Sequence, residues 1–344
     1  MELLRALVAR GDVELVGVAA AHRSPPSDAF VPPVPVRSLP LPRRLLYESW
    51  QWLRRPRVER ATGPVDLVHD AGYVVPPSAA PLVATVHDLF FLEYPEHYTW
   101  HSREVLRRGL ALARRDARLV ICPSRATIEA CRAAGFDDER LRLVPWGVRA
   151  REVGAPETEE VLRRYGLERP YVLFCGTVEP RKNLPRVLEA FRRLDRSDLE
   201  LVLAGPRGWR EDIADGTAAL AGRVRSLGFV PPGDLDALYR GAATLVAPSL
   251  GEGFGLPVLE AMAQGVPVVT SRGTATEEVG GEAAVLVDPL DVDAIADGIE
   301  RVLGDAALAA ALGAAARDRA AGFTWERAAE LVVEVYAEAA GSSS

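Results

Sequence analysis

Short apolar runs alternate with helix-period segments along almost the whole chain, and that alternation is the tightest constraint on its fold. In the first half the runs are 13–20 (VELVGVAA), 65–69 (VDLVH), 81–87 (PLVATVH), 117–122 (ARLVIC) and 142–147 (RLVPWG). Helical segments stand among them at 101–115 and 124–134. After a polar, charged stretch at 150–168 the pattern restarts, with runs at 171–176, 199–205, 225–230, 243–249, 266–271 and 283–288. Strands separated by helices in this order predict parallel sheets built from βαβ units. The expected architecture is α/β: two doubly wound domains facing each other across a cleft, joined near the polar stretch. Ligands of such sheets bind beyond the carboxyl ends of the strands, where strand order reverses.

The length of 344 residues suits two cores rather than one. With 48% apolar and 26% charged residues the composition is that of a soluble globular chain. No window holds the roughly 18 uninterrupted apolar residues of a membrane span. The opening MELLRALVARGD carries Arg5 inside a short amphipathic segment, unlike a secretory leader. Cys122, Cys131 and Cys175 are odd in number and lack metal-type spacing, so they are expected as reduced core thiols in a cytoplasmic protein.

Charge is uneven. Residues 1–150 hold 21 Arg against 17 acids, a net of +4, and residues 151–344 hold 20 cations against 31 acids, a net of −11, summing to −7. The acidic second half and scattered arginines argue against a nucleic-acid module. Segment 37–60 concentrates seven Arg against Glu48 and Glu59, with Trp50 and Trp52 among them. Two readings stand: a surface that meets anionic lipid or a lipid-linked substrate, or a solvated helix whose aromatics pack inward. The first half also opens on a helix; the strand and glycine turn that normally start a doubly wound domain do not precede it.

Three stretches carry chemistry. The first, SLGEGFGLPVLEAMAQGVPVVTS (249–271), runs from a strand end through a glycine-interrupted loop into a helix with Pro257 in its first turn. Gly253 and Gly255 let backbone approach a bound group. Glu252 and Glu260, eight positions apart, suit a hydroxyl-rich ligand, because ionised carboxylates only accept hydrogen bonds and sugar hydroxyls donate. The second, YVLFCGTVEPRKNLPRVLEAF (171–191), ends a strand at Gly176, carries Arg181 and Lys182 in a loop, and starts a helix near Asn183, read as its N-cap. A helix N-terminus beside a guanidinium and an ammonium is a site for a diphosphate. Lys182 is the single lysine among 41 basic residues. The third is PLVATVHDLFFLEYPEHY (81–98), where His87 and Asp88 close a strand; Asp88 is expected to orient the turn. His22, His69, His97 and His101 are expected as ordinary core or surface residues.

The string EGFGLPVLEAMAQGVPVV resembles the donor-site signature of retaining, GT-B-fold glycosyltransferases of the family-4 type, also called glycosyl transferases group 1. EPRKN and its flanks resemble the same family. The resemblance spans about 80–340 and is diffuse before residue 80. It implies two Rossmann-like domains: 1–155 on the acceptor side, with its first strand and glycine loop missing, 156–322 holding the donor, and 323–340 a C-terminal helix crossing back to the first domain. It implies that Glu252 faces the transferred sugar and Glu260 holds the ribose. The backbone at Phe254, Gly255 and Leu256 would approach the sugar or diphosphate, and that at Phe229 and Val230 the base. Arg181 and Lys182 would grip the leaving group, with Gly176 and Thr177 beside it, and His87 would sit near the sugar. Thr177 departs from the arginine common in relatives, leaving fewer cations for the diphosphate.

The implied activity is transfer of a hexose, mannose favoured, from a nucleotide diphosphate sugar to an acceptor hydroxyl with retention and without metal or cofactor. GDP-mannose is the favoured donor, with a UDP-sugar next. The acceptor is a glycan or lipid-linked sugar, with peripheral contact at the inner membrane face and no nucleic acid. The missing first strand keeps a second reading open, a nucleotide-sugar-binding protein or incomplete subunit. A dinucleotide-dependent oxidoreductase lacks its Gly-x-Gly-x-x-Gly turn.

Overall fold

The computed structural model describes residues 1–22, 31–149, 151–206, 208, 214–220 and 222–341. It divides into two compact units, Met1–Gly147 with the chain from Thr324 onward, and Val148–Phe323. The change of unit falls just before the polar stretch at 150–168. That stretch instead holds the helix Ala155–Arg164, fastened within the second unit by Arg164 and Tyr165, each 2.9 Å from the Asp234 carboxylate. Of the closing GSSS, which reads from sequence as a frayed tail, Gly341 caps the last helix in a left-handed conformation (φ 80°), and residues 342–344 lie outside the described residues.

In the first unit a parallel pair, β1 (Gly17–Ala21) and β2 (Val36–Pro42), stands apart from a four-stranded parallel sheet. That sheet comprises β3 (Val68–Asp70), β4 (Leu82–Thr85), β5 (Leu119–Cys122) and β6 (Leu141–Leu143), in that spatial order. Strand β2 was not anticipated: Pro35, Pro40 and Pro42 make its run read as a loop, since proline withholds a ladder donor. Strand β6 is shorter than the expected 142–147 run, and Pro145 lies just beyond it. Val120, Cys122, Cys131 and Phe91 form the buried core of this sheet with the helix Arg125–Ala133. The cysteines are free; Cys122 and Cys131 are buried, their sulfurs 3.8 Å apart. The C-terminal helix Trp325–Ala340 belongs to this unit, where Tyr336 hydroxyl meets His69 Nδ1 at 2.6 Å and Glu338 pairs with Arg142.

The second unit holds six parallel strands: β7 (Tyr171–Cys175), β8 (Glu200–Ala204), β9 (Val224–Gly228), β10 (Thr244–Ala247), β11 (Val268–Ser271) and β12 (Val285–Val287). Their order is β12-β11-β10-β7-β8-β9. Chain order therefore runs outward from β7 in one direction and from β10 in the other, so the reversal lies between these two strands. Both are apolar on both faces because helices cover the sheet, with Val172, Phe174, Leu245 and Val246 fully or almost fully buried. The α/β reading of two Rossmann-like units is the observed fold class.

Candidate functional site

The reversal of strand order brings two loops together: the one leaving β7 and the one leaving β10. They are joined by backbone, the Leu250 amide donating to the Arg181 carbonyl at 2.9 Å. A short 3₁₀ turn, Pro180–Lys182, precedes the helix Leu184–Arg193. Asn183, expected to cap that helix, does something else. It adopts a left-handed backbone (φ 62°) and makes no side-chain cap bond. Its amide nitrogen instead donates to the carbonyls of Pro248 and Pro289 at 2.9 and 2.7 Å, tying the β7 loop to the β10 loop.

Between these loops lies a compact ion cluster. Glu252, following β10, accepts Arg181 on one carboxylate oxygen at 2.6 Å. The other oxygen takes Lys182 Nζ at 2.6 Å and the Ser249 hydroxyl at 2.9 Å. Arg181 spreads its fork further, to Glu179 at 2.6 Å and to the Gly251 carbonyl at 3.0 Å. The carboxylate of Glu252 is buried, which by itself would raise its pKa. The charges of Lys182 and Arg181, with hydrogen bonds from Lys182 and Ser249, overcome burial and hold it at about 2. It is therefore ionised at any physiological pH, an acceptor only.

Gly176 explains how Lys182 fits. Its φ is 143°, and a Cβ there would stand 3.3 Å from Lys182 Cε and 3.6 Å from Nζ. The lysine stem runs along the bare glycine backbone at the end of β7, leaving the side chain 11% exposed. Thr177 follows, half-buried.

Glu260 sits in the helix Leu256–Ala263, which starts after Gly255 in a left-handed conformation (φ 102°). The Tyr239 hydroxyl donates to its carboxylate at 2.9 Å. Burial pushes Glu260 up from the ordinary carboxylate range, and the Asp236 charge adds to this, while the Tyr239 bond and Lys182 oppose it. Tyr239 is wholly buried, and its own pKa is driven well up. In the same loop Gly253 separates Glu252 from Phe254, whose ring packs edge-on against Phe323 at 6.0 Å, and Leu256 is partly exposed. Val230 lies beyond β9, two strands from β7, with its side chain buried and the neighbouring Phe229 ring 74% exposed.

The structure thus joins Arg181, Lys182 and Glu252 directly, places Gly176 against Lys182, and holds Glu260 through Tyr239. His87 belongs to the first unit. Its Nε2 donates to the Ala71 carbonyl at 2.9 Å, and its ring lies 5.9 Å from that of Trp146. Asp88 accepts the Phe90 amide at 3.3 Å, turning the chain after β4. His69 is half-buried between Tyr336 and Thr85, with its pKa pushed down to about 4 by burial and His87.

Sequence reasoning passed over Glu179, Ser249 and Tyr239 as partners of the site. The first two stand inside the motifs already quoted, EPRKN and SLGEGFG; Tyr239 stands in GDLDALYRGA without a signal of its role. Two Asp-x-Asp spacings, 234–236 and 291–293, also escaped notice. Asp234 is paired with Arg164, and Asp291 caps the helix Val292–Gly304. Among the described residues no group of three His, Cys, Asp or Glu is arranged to hold a metal ion.

Comparison with known proteins places the chain in a family. Residues 158–319 match the family model of glycosyl transferases group 1, and residues 1–152 match that of glycosyltransferase family 4. The O-antigen chain mannosyltransferase B of Escherichia coli is 33% identical over 282 residues, covering 78% of this chain and 74% of the relative. The D-inositol 3-phosphate glycosyltransferase of Acidothermus cellulolyticus is 30% identical over 98% of this chain and 84% of its own length. Among solved structures, sucrose-phosphate synthase from Thermosynechococcus elongatus superposes with a TM-score of 0.77 at 24% identity, over 99% of this chain and 92% of that one. The GT-B fold is shared at that distance. The chain belongs to family 4 of the glycosyltransferases, and it is a glycosyltransferase.

Proposed function

We propose that the enzyme moves a hexose, mannose first, from a nucleotide diphosphate sugar to an acceptor hydroxyl with retention of configuration. GDP-mannose is the favoured donor and a UDP-sugar the second choice. The enzyme works in the cytoplasm, against the inner membrane face, on a glycan or lipid-linked sugar. The reading rests above all on the Arg181–Glu252–Lys182 cluster at the point where strand order reverses. The mannosyltransferase relative supports the choice of sugar.

In this reading the donor diphosphate takes the charges of Arg181 and Lys182, and the oxygens of Glu252 turn to the sugar hydroxyls. Glu260, held by Tyr239, accepts the ribose diol; Val230 borders the base. The backbone of Thr177, Gly253, Phe254, Gly255 and Leu256 lines the sugar and diphosphate, with His87 on the sugar side. The bond from the anomeric carbon to the diphosphate breaks, and one from that carbon to the acceptor oxygen forms on the same face. The acceptor proton passes to the departing diphosphate. Preorganised cations that meet this growing charge are worth about a hundredfold to a thousandfold in turnover each.

The test is incubation with a panel of nucleotide sugars, scoring nucleoside diphosphate release and thermal stabilisation. GDP-mannose should give the largest stabilisation and slow hydrolysis. A stronger response to another donor overturns the mannose reading, and no response to any nucleotide sugar overturns the site.

A further inference from the structure

The helix Arg43–Trp52 separates the two readings of segment 37–60 residue by residue. Leu46 and Trp50 enter a small core with Leu39 and Val58, and the Trp50 indole donates to the Pro56 carbonyl at 2.8 Å. Trp52, two positions on, is 60% exposed, and Leu53 after it is 72% exposed. Trp100, the first residue of the helix Trp100–Asp116, is also 72% exposed. With Tyr47 and Trp52 it lines one groove of about 400 Å³ between the two helices. Folding gives no reason to leave such large apolar side chains outward on adjoining turns; a patch of this kind marks an interaction surface.

Arginines surround it. Arg43 and Arg44 are exposed on the first helix, and Arg55 follows it. Arg107 is exposed two turns beyond Trp100, on the same helical face. The acids of the groove are Glu48, which Arg44 holds at 3.2 Å, and Glu104. Arg108 stacks over the Trp52 ring at 3.5 Å, so one ring face is already covered. An interface between two copies of the chain also enriches aromatics and arginine, and the oligomeric state tests that occupant below. Indoles and leucines outward amid guanidinium groups match a phospholipid surface, where rings lie at headgroup depth and arginines meet phosphate. Among the described residues no helix is long and apolar enough to cross a membrane, so the contact is peripheral.

We propose that the patch formed by Tyr47, Trp52, Leu53 and Trp100, with Arg43 and Arg44, docks the enzyme on an anionic phospholipid bilayer. This specifies the membrane contact of the functional reading above. Vesicle binding needs no nucleotide sugar, so its outcome is independent of the donor assay.

The full chain should co-sediment with phosphatidylcholine vesicles containing phosphatidylglycerol and not with phosphatidylcholine alone. Tryptophan emission should shift to the blue on binding, and high salt should release the protein. Replacing both Arg43 and Arg44 by Glu should weaken binding by roughly tenfold or more, at about one order of magnitude per one to two charges lost. The double variant W52A/W100A should lose the blue shift. All four side chains are on the surface, and an unchanged unfolding midpoint verifies the fold. Equal binding to neutral vesicles, absence of binding, or unchanged binding of the variants overturns the proposal. So does a finding that the same variants convert a dimer into monomers without vesicle association.

Discussion

Replacing Lys182 by Ala is the perturbation the site resolves best. The ammonium lies 2.6 Å from Glu252, and the two side chains are 11% and 10% exposed. Glu252 is held at about 2 against an ordinary value of 4.5, a difference of about 2.5 units. At about 1.4 kcal/mol per unit, the ion pairs and hydrogen bonds of this carboxylate, net of its burial, contribute roughly 3 kcal/mol at neutral pH. Arg181 remains in the variant, so the expected loss is about 1–3 kcal/mol, below the full cost of orphaning a buried charge. The sign with pH follows from the depressed value. This stabilisation is present above pH 4.5, the unfolded value, and fades as pH falls towards 2, the folded one. Wild type and K182A should therefore differ by guanidinium unfolding at pH 7 and converge near pH 2–3. Turnover should fall about a hundredfold or more with the fold intact at pH 7. K182R should not restore it, because the stem must pass 3.3 Å from the position a Cβ would take on Gly176. Near-normal turnover in K182A refutes the leaving-group role. Full activity in K182R refutes the argument for a compact cation.

Glu252→Gln releases both cations from their carboxylate, so GDP binding should tighten or hold while sugar transfer drops about a hundredfold, seen by titration and initial rates. Tyr239→Phe removes the donor to half-buried Glu260 and should weaken nucleotide binding by about 1–3 kcal/mol, with a KM effect larger than the kcat effect. Asp70 is half-buried, with one carboxylate oxygen buried and lacking a partner, and burial lifts its pKa to about 7, so stability should decline as pH rises from about 4 to 7. Asp70→Asn should raise the unfolding midpoint at pH 8 and leave it nearly unchanged at pH 4. Gly147→Ala would put a Cβ 2.2 Å from the Trp325 amide, and the unfolding midpoint should drop by several degrees.

Much of this architecture was legible because the signals were local. Apolar runs bounded by helical segments located all six strands of the second unit, and glycine-interrupted loops after two of them marked the loops that the fold joins. What failed was where a local rule met a distant partner. Asn183 has the composition of a cap, yet two carbonyls 65 and 106 positions away claim its amide nitrogen. Strand β2 pairs in parallel with β1 despite three prolines in or beside it. Trp50 and Trp52 are indistinguishable by type, and only the helix turn between them sends one inward and one outward.

The pairing of Glu252 shows why residue types alone underdetermine such a site. Read from sequence, Arg181 and Lys182 were cations awaiting a diphosphate, and Glu252 an acceptor awaiting a sugar. Folded, Glu179, Arg181, Lys182 and Glu252 form one cluster whose formal charges cancel. Arg181 already spends its planar fork bridging two carboxylates and a carbonyl, the geometry only a guanidinium supplies. The remaining oxygen of Glu252 needs one more donor, reached along the glycine floor at Gly176, and an ammonium on a thin stem meets that demand. A single lysine in a chain of forty arginines is then a consequence of space and of donors already committed. An anion that enters this cluster must compete with Glu252 for both cations. In the proposed reading, affinity for the diphosphate and the freedom of Glu252 to meet the sugar therefore change together.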